Sequence, residues 1–377
     1  MKKLFCVFLA ICLMISLSAC RKNKKDPTVD KQTNGTQLQN QTGGSQAEKD
    51  TSLVAVSLPT QTQNEVHDDG TTLFQYTFQH MSLVLHKPQV ADKIILDFLN
   101  RVDSTTAAAE STKESAKAAY NGNKNWIPYL YHITYSPTRI DHKVLSLFGN
   151  NVVFSGAGHP ERTCVSASYD LLTGDVLTLA SIMNKDATVQ QFCDLTLAGL
   201  GEMAEGDYLY DNYKKIVQQR FQQDASQDEA WYFTQTGLCF YFAPYEIAPY
   251  SSGVITVEIP FEKLKNLIHA DYLPAARTSP TGKITVTPFN STNLNNLSHI
   301  AEIVMEEDGK MYMLQTDGNV QDVRIVLYDK ASNCNVFAAY GLSAGNGIMV
   351  QGSEDTLKNM KITYKTGKDT VTIPIDE

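Results

Sequence analysis

Imidazole serves as base, acid or metal ligand near neutral pH, so the eight histidines are where chemistry would first be sought. They are His67, His80, His86, His132, His142, His159, His269 and His299. None forms the His-Glu-x-x-His or His-x-x-x-His spacing that sets two ligands on one helix face, so no metal site and no cofactor is expected. His159 differs from the rest because Gly156-Ala157-Gly158-His159-Pro160 places it on a glycine-rich loop. It reads as a hydrogen-bonded histidine that shapes a turn, with a binding role as the alternative. Ser251 and Ser252 follow no Gly-x-Ser-x-Gly elbow, although a Ser-His-Asp set assembles in space and spacing does not exclude one. Asp170 and Asp175 flank a turn and read as turn acceptors, and Glu306-Glu307-Asp308-Gly309 reads as a hairpin tip rather than a calcium loop. Cys164, Cys193, Cys239 and Cys334 match no zinc spacing. They read as buried thiols, with a Cys164–Cys239 bridge left open. No catalytic constellation emerges, and the chain is expected not to be an enzyme.

A different signal lies in LCFYFAPYEIAPYSSGVITVEIP, Leu238 to Pro260, where Ala-Pro-Tyr occurs twice between two strand-like runs. Proline lacks an amide proton and fixes its own torsion, so Pro244 and Pro249 interrupt strand pairing and stiffen the intervening loop. Tyr245 and Tyr250 are then held at low entropic cost, which suits a surface that binds protein or glycan. The structural alternative packs at least one tyrosine under the sheet and leaves the prolines to set the crossover.

These residues need a scaffold, and periodicity supplies one. TLFQYTFQHMSLVL alternates as a strand from Thr72, and Pro88 then opens a helix with Val90, Ile94, Ile95, Phe98, Leu99 and Val102 on one face. Trp126 to Leu147 alternates again, Asn150-Asn151 reads as a hairpin turn, and a Thr173-Gly174-Asp175 turn precedes a second short strand. Helices are expected over 186–203 and 209–224, then strands to Pro260 and a short closing helix over 261–267. This is an α+β arrangement, a mixed sheet with grouped helices. After Pro274 the texture changes to short alternating strands joined by Asp-Gly, Gly-Asn and Gly-Lys turns, an all-β module over 275–377 that reads as a sandwich.

The amino-terminal end carries an address. MKKLFCVFLAICLMISLSAC has two lysines, a short apolar run and Leu17-Ser18-Ala19-Cys20, a secretory signal over 1–19 ending in a lipobox. This end resembles those of bacterial lipoproteins, which implies acylation at Cys20 and stable anchoring by several acyl chains. The basic collar of Arg21, Lys22, Lys24, Lys25 and Lys31 suits an anionic bilayer. Residues 20–70 are poor in large apolar side chains and read as a tether spanning about 40 Å root mean square. The formal net charge is −9, so the body repels nucleic acid and attracts cationic partners. The expected location is the outer face of the bacterial cytoplasmic membrane, facing the wall.

The run SGAGHPERTCVSASYDLLTGDVLTLASIM, followed two helices later by GLCFYFAPYEIAPYSSGVITVEIPFEKL, resembles the DUF3298 family. The region from about Gln75 to Ser166 is similar to its usual companion, DUF4163. Domains of these types form the outer part of RsiV-type anti-sigma factors, which sense lysozyme, and the non-catalytic front half of PdaC-type peptidoglycan deacetylases. The resemblance implies a DUF4163-like domain over 71–166, a DUF3298-like domain over 167–274, and a small-residue loop ending in the histidine at His159. No segment fit to hold a sigma factor precedes the signal, and no deacetylase domain follows Ala270, so neither signalling nor deacetylation is expected to carry over. What the resemblance leaves is extracellular recognition of lysozyme, of another cationic muramidase or of peptidoglycan, with His159, Pro244, Tyr245, Pro249 and Tyr250 as suspected ligand-binding residues. The alternatives are a cell-wall glycan hydrolase or deacetylase, and a structural envelope lipoprotein.

Overall fold

Leu53, Val54, Ala55, Val56 and Leu58 are all buried, and this short apolar run starts the fold earlier than its polar surroundings suggest. The computed structural model describes residues 53–375 other than 157, 204–207, 224–229, 276–278, 295–296 and 329–332. The expected signal, Cys20 and most of the tether lie outside the described residues. The tether does not reach residue 70: β1 (Ala55–Ser57) and β2 (Thr60–Val66) precede β3 (Thr72–Gln79) and β4 (Ser82–Val84). Five apolar residues are enough to occupy a slot between existing strands, although averaged over their polar neighbours they vanish.

Helix α1 (Pro88–Ala119) starts with proline in its first turn and buries Ala91, Ile94, Phe98, Val102, Ala109 and Ala116, one face at helical spacing. That face covers a five-stranded sheet of order β2-β3-β5-β6-β7, with β5 (Tyr129–Ile140), β6 (Val144–Phe154) and β7 (Glu161–Asp170). β3 and β5 run parallel, and α1 lies on the crossover between them. Asn150 and Asn151 are not a turn. They sit inside β6, opposite Thr134 and Ile133, because alternation continues through Val152 and Phe154. The turn falls at Asp141, whose carboxylate accepts from the amides of Lys143 and Val144, each at 2.8 Å. The expected domain break between residues 166 and 167 likewise lies within β7.

The first sheet is mixed, as expected, and a second stacks on it. Its order is β10-β9-β8, with β8 (Trp231–Phe233), β9 (Gly237–Phe242) and β10 (Ile255–Pro260). The even-numbered residues of β9 face helices α3 (Val189–Met203) and α4 (Tyr213–Gln222), with Phe192, Val217, Phe221 and Phe240 in one core. On the other side, Tyr232, Cys239 and Tyr241 pack on Phe148 and Cys164 of the first sheet. The strand expected after Gly174 is a lone bridge between Tyr169 and Val176. The chain there turns at once into α2 (Leu179–Ile182), capped by reciprocal Thr178–Ser181 bonds. A further short helix, α5 (Phe261–Leu264), follows β10.

The remaining strands are β11 (Ile284–Pro288), β12 (His299–Val304), β13 (Lys310–Thr316), β14 (Val320–Tyr328), β15 (Asn333–Leu342), β16 (Asn346–Gly352), β17 (Met360–Thr366) and β18 (Asp369–Pro374), with α6 (Glu354–Lys358) before β17. They form two sheets, β18-β17-β14-β15-β1-β4 and β11-β13-β16-β12, that share a core including Ile303, Ile325, Phe337 and Val350. The α+β part is thus followed by a β-rich region, as the texture of the sequence implies. The region from residue 275 is not self-contained, however. β1 is inserted beside β15 and carries β4 on its other edge. Among the described residues, no helix is long and apolar enough to cross a membrane.

Arg139 pins the two stacked sheets together and is 2% exposed. Its guanidinium donates to Asp141 at 2.7 Å and to the Tyr272 carbonyl at 2.7 Å, and lies 5.0 and 5.1 Å from the ring centres of Phe233 and Phe261. Replacing only one partner leaves the other buried charge uncompensated. Arg139→Ala is therefore expected to lower the unfolding free energy by about 3–5 kcal/mol in urea titration, and the double change Arg139→Met, Asp141→Asn to restore most of it.

Candidate functional site

The connection from β9 to β10 is built around a buried plug. Ile247 and Ala248 are buried in its middle, and the Ile247 carbonyl accepts from the Tyr210 amide at 2.9 Å. The two Pro-Tyr pairs thereby fall on either side of the plug, with Tyr245 and Pro249 exposed. Upstream, the Glu246 carboxylate accepts from the Ala243 amide at 2.9 Å and pairs with Arg220 at 2.9 Å. Arg220 also donates to the Tyr241 carbonyl at 2.8 Å and lies over the Phe242 ring. The Tyr245 amide donates to the Ala248 carbonyl at 3.0 Å. Closing this turn after Pro244 puts Tyr245 at φ 71°, a left-handed conformation that a tyrosine rarely adopts. Downstream, Pro249 leads into a single 3-10 turn, Tyr250–Ser252, which ends at Gly253 with φ 69°.

The β6–β7 connection meets this loop. Gly156 has φ +84°, and a side chain there would collide with the Tyr129 hydroxyl; Ala157 lies outside the described residues. The loop delivers His159 onto Tyr250, the rings stacking at 4.2 Å between centres and 28° between planes. The Tyr250 hydroxyl donates to the Pro160 carbonyl at 2.7 Å. His159 Nε2 is 3.3 Å from the Tyr245 hydroxyl, and Nδ1 is 3.2 Å from the Pro160 carbonyl. A carbonyl only accepts, so in the neutral ring Nδ1 carries the proton and Nε2 accepts from Tyr245. The Tyr245 and Tyr250 rings are 5.4 Å apart.

Three of the five residues singled out in the sequence thus share one ring stack across some ninety positions of chain, with Pro244 and Pro249 flanking it. The two tyrosines are not equivalent. Tyr250 is half-buried with its hydroxyl engaged, and Tyr245 is 57% exposed. Arg220 and Glu246, which brace the β9–β10 connection, and Tyr129, which lies against Gly156, escape sequence reasoning; a contact from a helix to a loop 26 residues on leaves no periodic trace.

The groups around the stack do not make a nucleophile. Half-buried Cys164 is pushed up to about 12, chiefly by burial and then by the Glu246 carboxylate, with Arg220 opposing, so its thiol stays protonated at neutral pH. The four described cysteines are free thiols, Cys193 and Cys239 buried, and Cys164 and Cys239 are not bridged. Ser251 and Ser252 belong to the turn after Tyr250, and His159 bonds to Tyr245 and Pro160 instead. Among the described residues, no three His, Cys, Asp or Glu side chains converge as a metal set.

Residues 183–262 match the family model DUF3298, described as a protein of unknown function. The match spans the β9–β10 connection and stops short of His159. No curated protein matches the chain. Among solved structures, a DUF3298 family member from Bacteroides fragilis is similar with a TM-score of 0.45 at 16% identity, over 59% of this chain and 96% of that one. A DUF3298 family protein from Pseudomonas aeruginosa is similar with a TM-score of 0.39 at 16% identity, over 58% of this chain and 98% of that one.

The left-handed Tyr245 yields a stability test. The conformation costs a tyrosine about 1–2 kcal/mol, and glycine loses about 0.5–1 kcal/mol through chain entropy. Tyr245→Gly is therefore expected to leave the unfolding free energy unchanged or up to about 1 kcal/mol higher, and Tyr245→Val to lower it by about 1–2 kcal/mol. A glycine variant that is clearly destabilised in urea titration would mean that the contacts of Tyr245 outweigh its strain.

Proposed function

We propose that this chain is a non-catalytic recognition module of an exported lipoprotein, anchored through Cys20 outside the cytoplasmic membrane. In this reading it binds a cationic extracellular protein of lysozyme type on the His159–Tyr245–Tyr250 stack. The observation that carries the proposal is Tyr245 itself. Its ring is exposed, its backbone is at positive φ, and the loop beneath it is fixed by a buried plug and by Glu246 and Arg220. A strained residue persists when its surroundings over-determine it, and exposed strain serves binding better than packing. Rigid aromatic anchors lose little entropy when a partner covers them. The net charge of −9 supports steering of a cationic partner, and the resemblance to the ectodomain pair DUF4163 and DUF3298 supports lysozyme as its type.

Peptidoglycan is the second reading, favoured by a second group of rings that starts under the loop carrying His159. Tyr129, under Gly156, stacks on Trp126 at 5.1 Å, and Trp126 meets Tyr120 edge-on at 5.4 Å. Such rings suit the apolar faces of sugars.

The deciding experiment is calorimetric titration of the chain from Arg21 onward with a C-type lysozyme at low and moderate salt, beside Tyr245→Ala, Tyr250→Ala. One-to-one binding is expected, weaker at the higher salt and at least about tenfold weaker in the double variant. No heat at either salt would overturn the protein-ligand reading, and heat with soluble muropeptides alone would favour the second. For the anchor, Cys20→Ala is expected to move the chain from the membrane fraction to the medium, as membrane fractionation would show.

A further inference from the structure

Away from the ring stack, β2 closes the five-stranded sheet and, among the described residues, pairs with β3 alone. Gln61, Thr62, Gln63 and Asn64 are all exposed, so the strand shows both faces and one backbone edge. Such an edge offers amides and carbonyls to a further strand, and proteins usually guard it with lysine, proline or a bulge. TQTQNEV has little such protection. Pro59 precedes the strand, its one charge, Glu65, is held by Lys117 at 3.1 Å, and the register slips only at its last step.

A groove of about 460 Å³ lies along the first half of this edge. Its other wall comes from the sandwich, with Met305, Glu306, Leu327 and Thr356. Met305 and Leu327 are half-buried and give an apolar floor. Among the described residues, Glu306 is the one charged side chain lining it. Its carboxylate accepts from Thr356 at 2.7 Å and Ser353 at 2.8 Å, and these bonds keep it below the usual carboxylate range. Glu307 and Asp308, both exposed, follow on the same β12–β13 connection, which is not the expected hairpin tip, because β16 lies between the two strands.

We propose that this groove takes an extended basic segment of a partner protein, which joins β2 as a sixth strand, sets apolar side chains over Met305 and Leu327 and turns lysine or arginine toward Glu306. Backbone pairing supplies affinity and alternate side chains supply choice, as in other strand-addition sites. A second copy of this chain fits less well, because the self-pairing of TQTQNEV brings no cation to Glu306 and both copies are acidic. The groove lies at the Thr60 end of β2, and the ring stack at the far edge strand and opposite end of the sheet, so both surfaces can be occupied together.

The test is fluorescence anisotropy of the full chain in mild detergent with a labelled octapeptide of alternating lysine and valine. Its partners are the same peptide with glutamate for lysine, and two forms N-methylated on alternate amides, one for each set of outward N–H groups. Saturable binding of the lysine peptide is expected. Glu306→Gln, which keeps the acceptor and removes the charge, should weaken it about fivefold, while Glu262→Gln, an exposed acid elsewhere, should not. The glutamate peptide and one methylated form should fail to bind. Equal binding of both charge types, equal binding of both methylated forms, absence of binding at millimolar peptide, or sedimentation showing a stable dimer that excludes peptide would each overturn the proposal.

Discussion

A guanidinium buried among aromatic rings has to find every partner at once, and Arg139 sets the terms for the α+β half of the molecule. It leaves the end of β5, turns under the second sheet, and finds Asp141, the Tyr272 carbonyl and the faces of Phe233 and Phe261. Those partners come from the β5–β6 turn, from β8 and from the segment after β10. The two sheets can stack in one register only, since a slip would strand a charge away from water at a cost of several kcal/mol. Smaller bonds repeat the constraint. Ser146 bonds Ser168 at 2.8 Å and accepts from the Phe233 amide at 2.9 Å.

From that register follows the site. With β8 and β9 fixed over β6 and β7, the β9–β10 connection must emerge beside the loop that carries His159. The contacts that form there are modest one by one. The Tyr250 hydroxyl bond and the His159–Tyr250 stack contribute about 1 kcal/mol each, much the same as the 1–2 kcal/mol that left-handed Tyr245 costs. The ring stack does not hold the loop together. The Ile247 plug, Glu246 and Arg220 do that, so the fold of the loop does not depend on the rings.

The sequence shows these features unequally, and the reason is range. Helix α1 and the strand-and-turn texture beyond residue 274 are visible because their signals repeat within a few residues. The Pro-Tyr units and the glycine loop before His159 stand out for the same reason, since proline and glycine act on their own torsions. β1 is invisible because three residues carry no period and the slot that makes them a strand is built by β15, far along the chain. Asn150 and Asn151 mislead because asparagine favours turns, yet here the long β5–β7 ladder overrides that preference. Arg139 and Arg220 look like any surface arginine until the fold supplies their partners.

The short strand β1 also explains why the sandwich cannot be regarded as a separate appendage. It enters the six-stranded sheet between β15 and β4, and β4 leads directly into α1, the helix that covers the five-stranded sheet. Buried Gln79, at the end of β3, adds a second tie: its amide donates to the Leu58 carbonyl at 3.0 Å and its oxygen accepts from the Tyr135 amide. Arg324 of β14 closes a third, donating to the Pro137 carbonyl of β5. These ties come from β3, β5 and the first strand of the fold, so the sandwich braces the sheet that presents His159 and, through Arg139, the loop that presents the tyrosines. The backbone geometry of strained Tyr245 therefore rests on this whole unit rather than on its own loop alone.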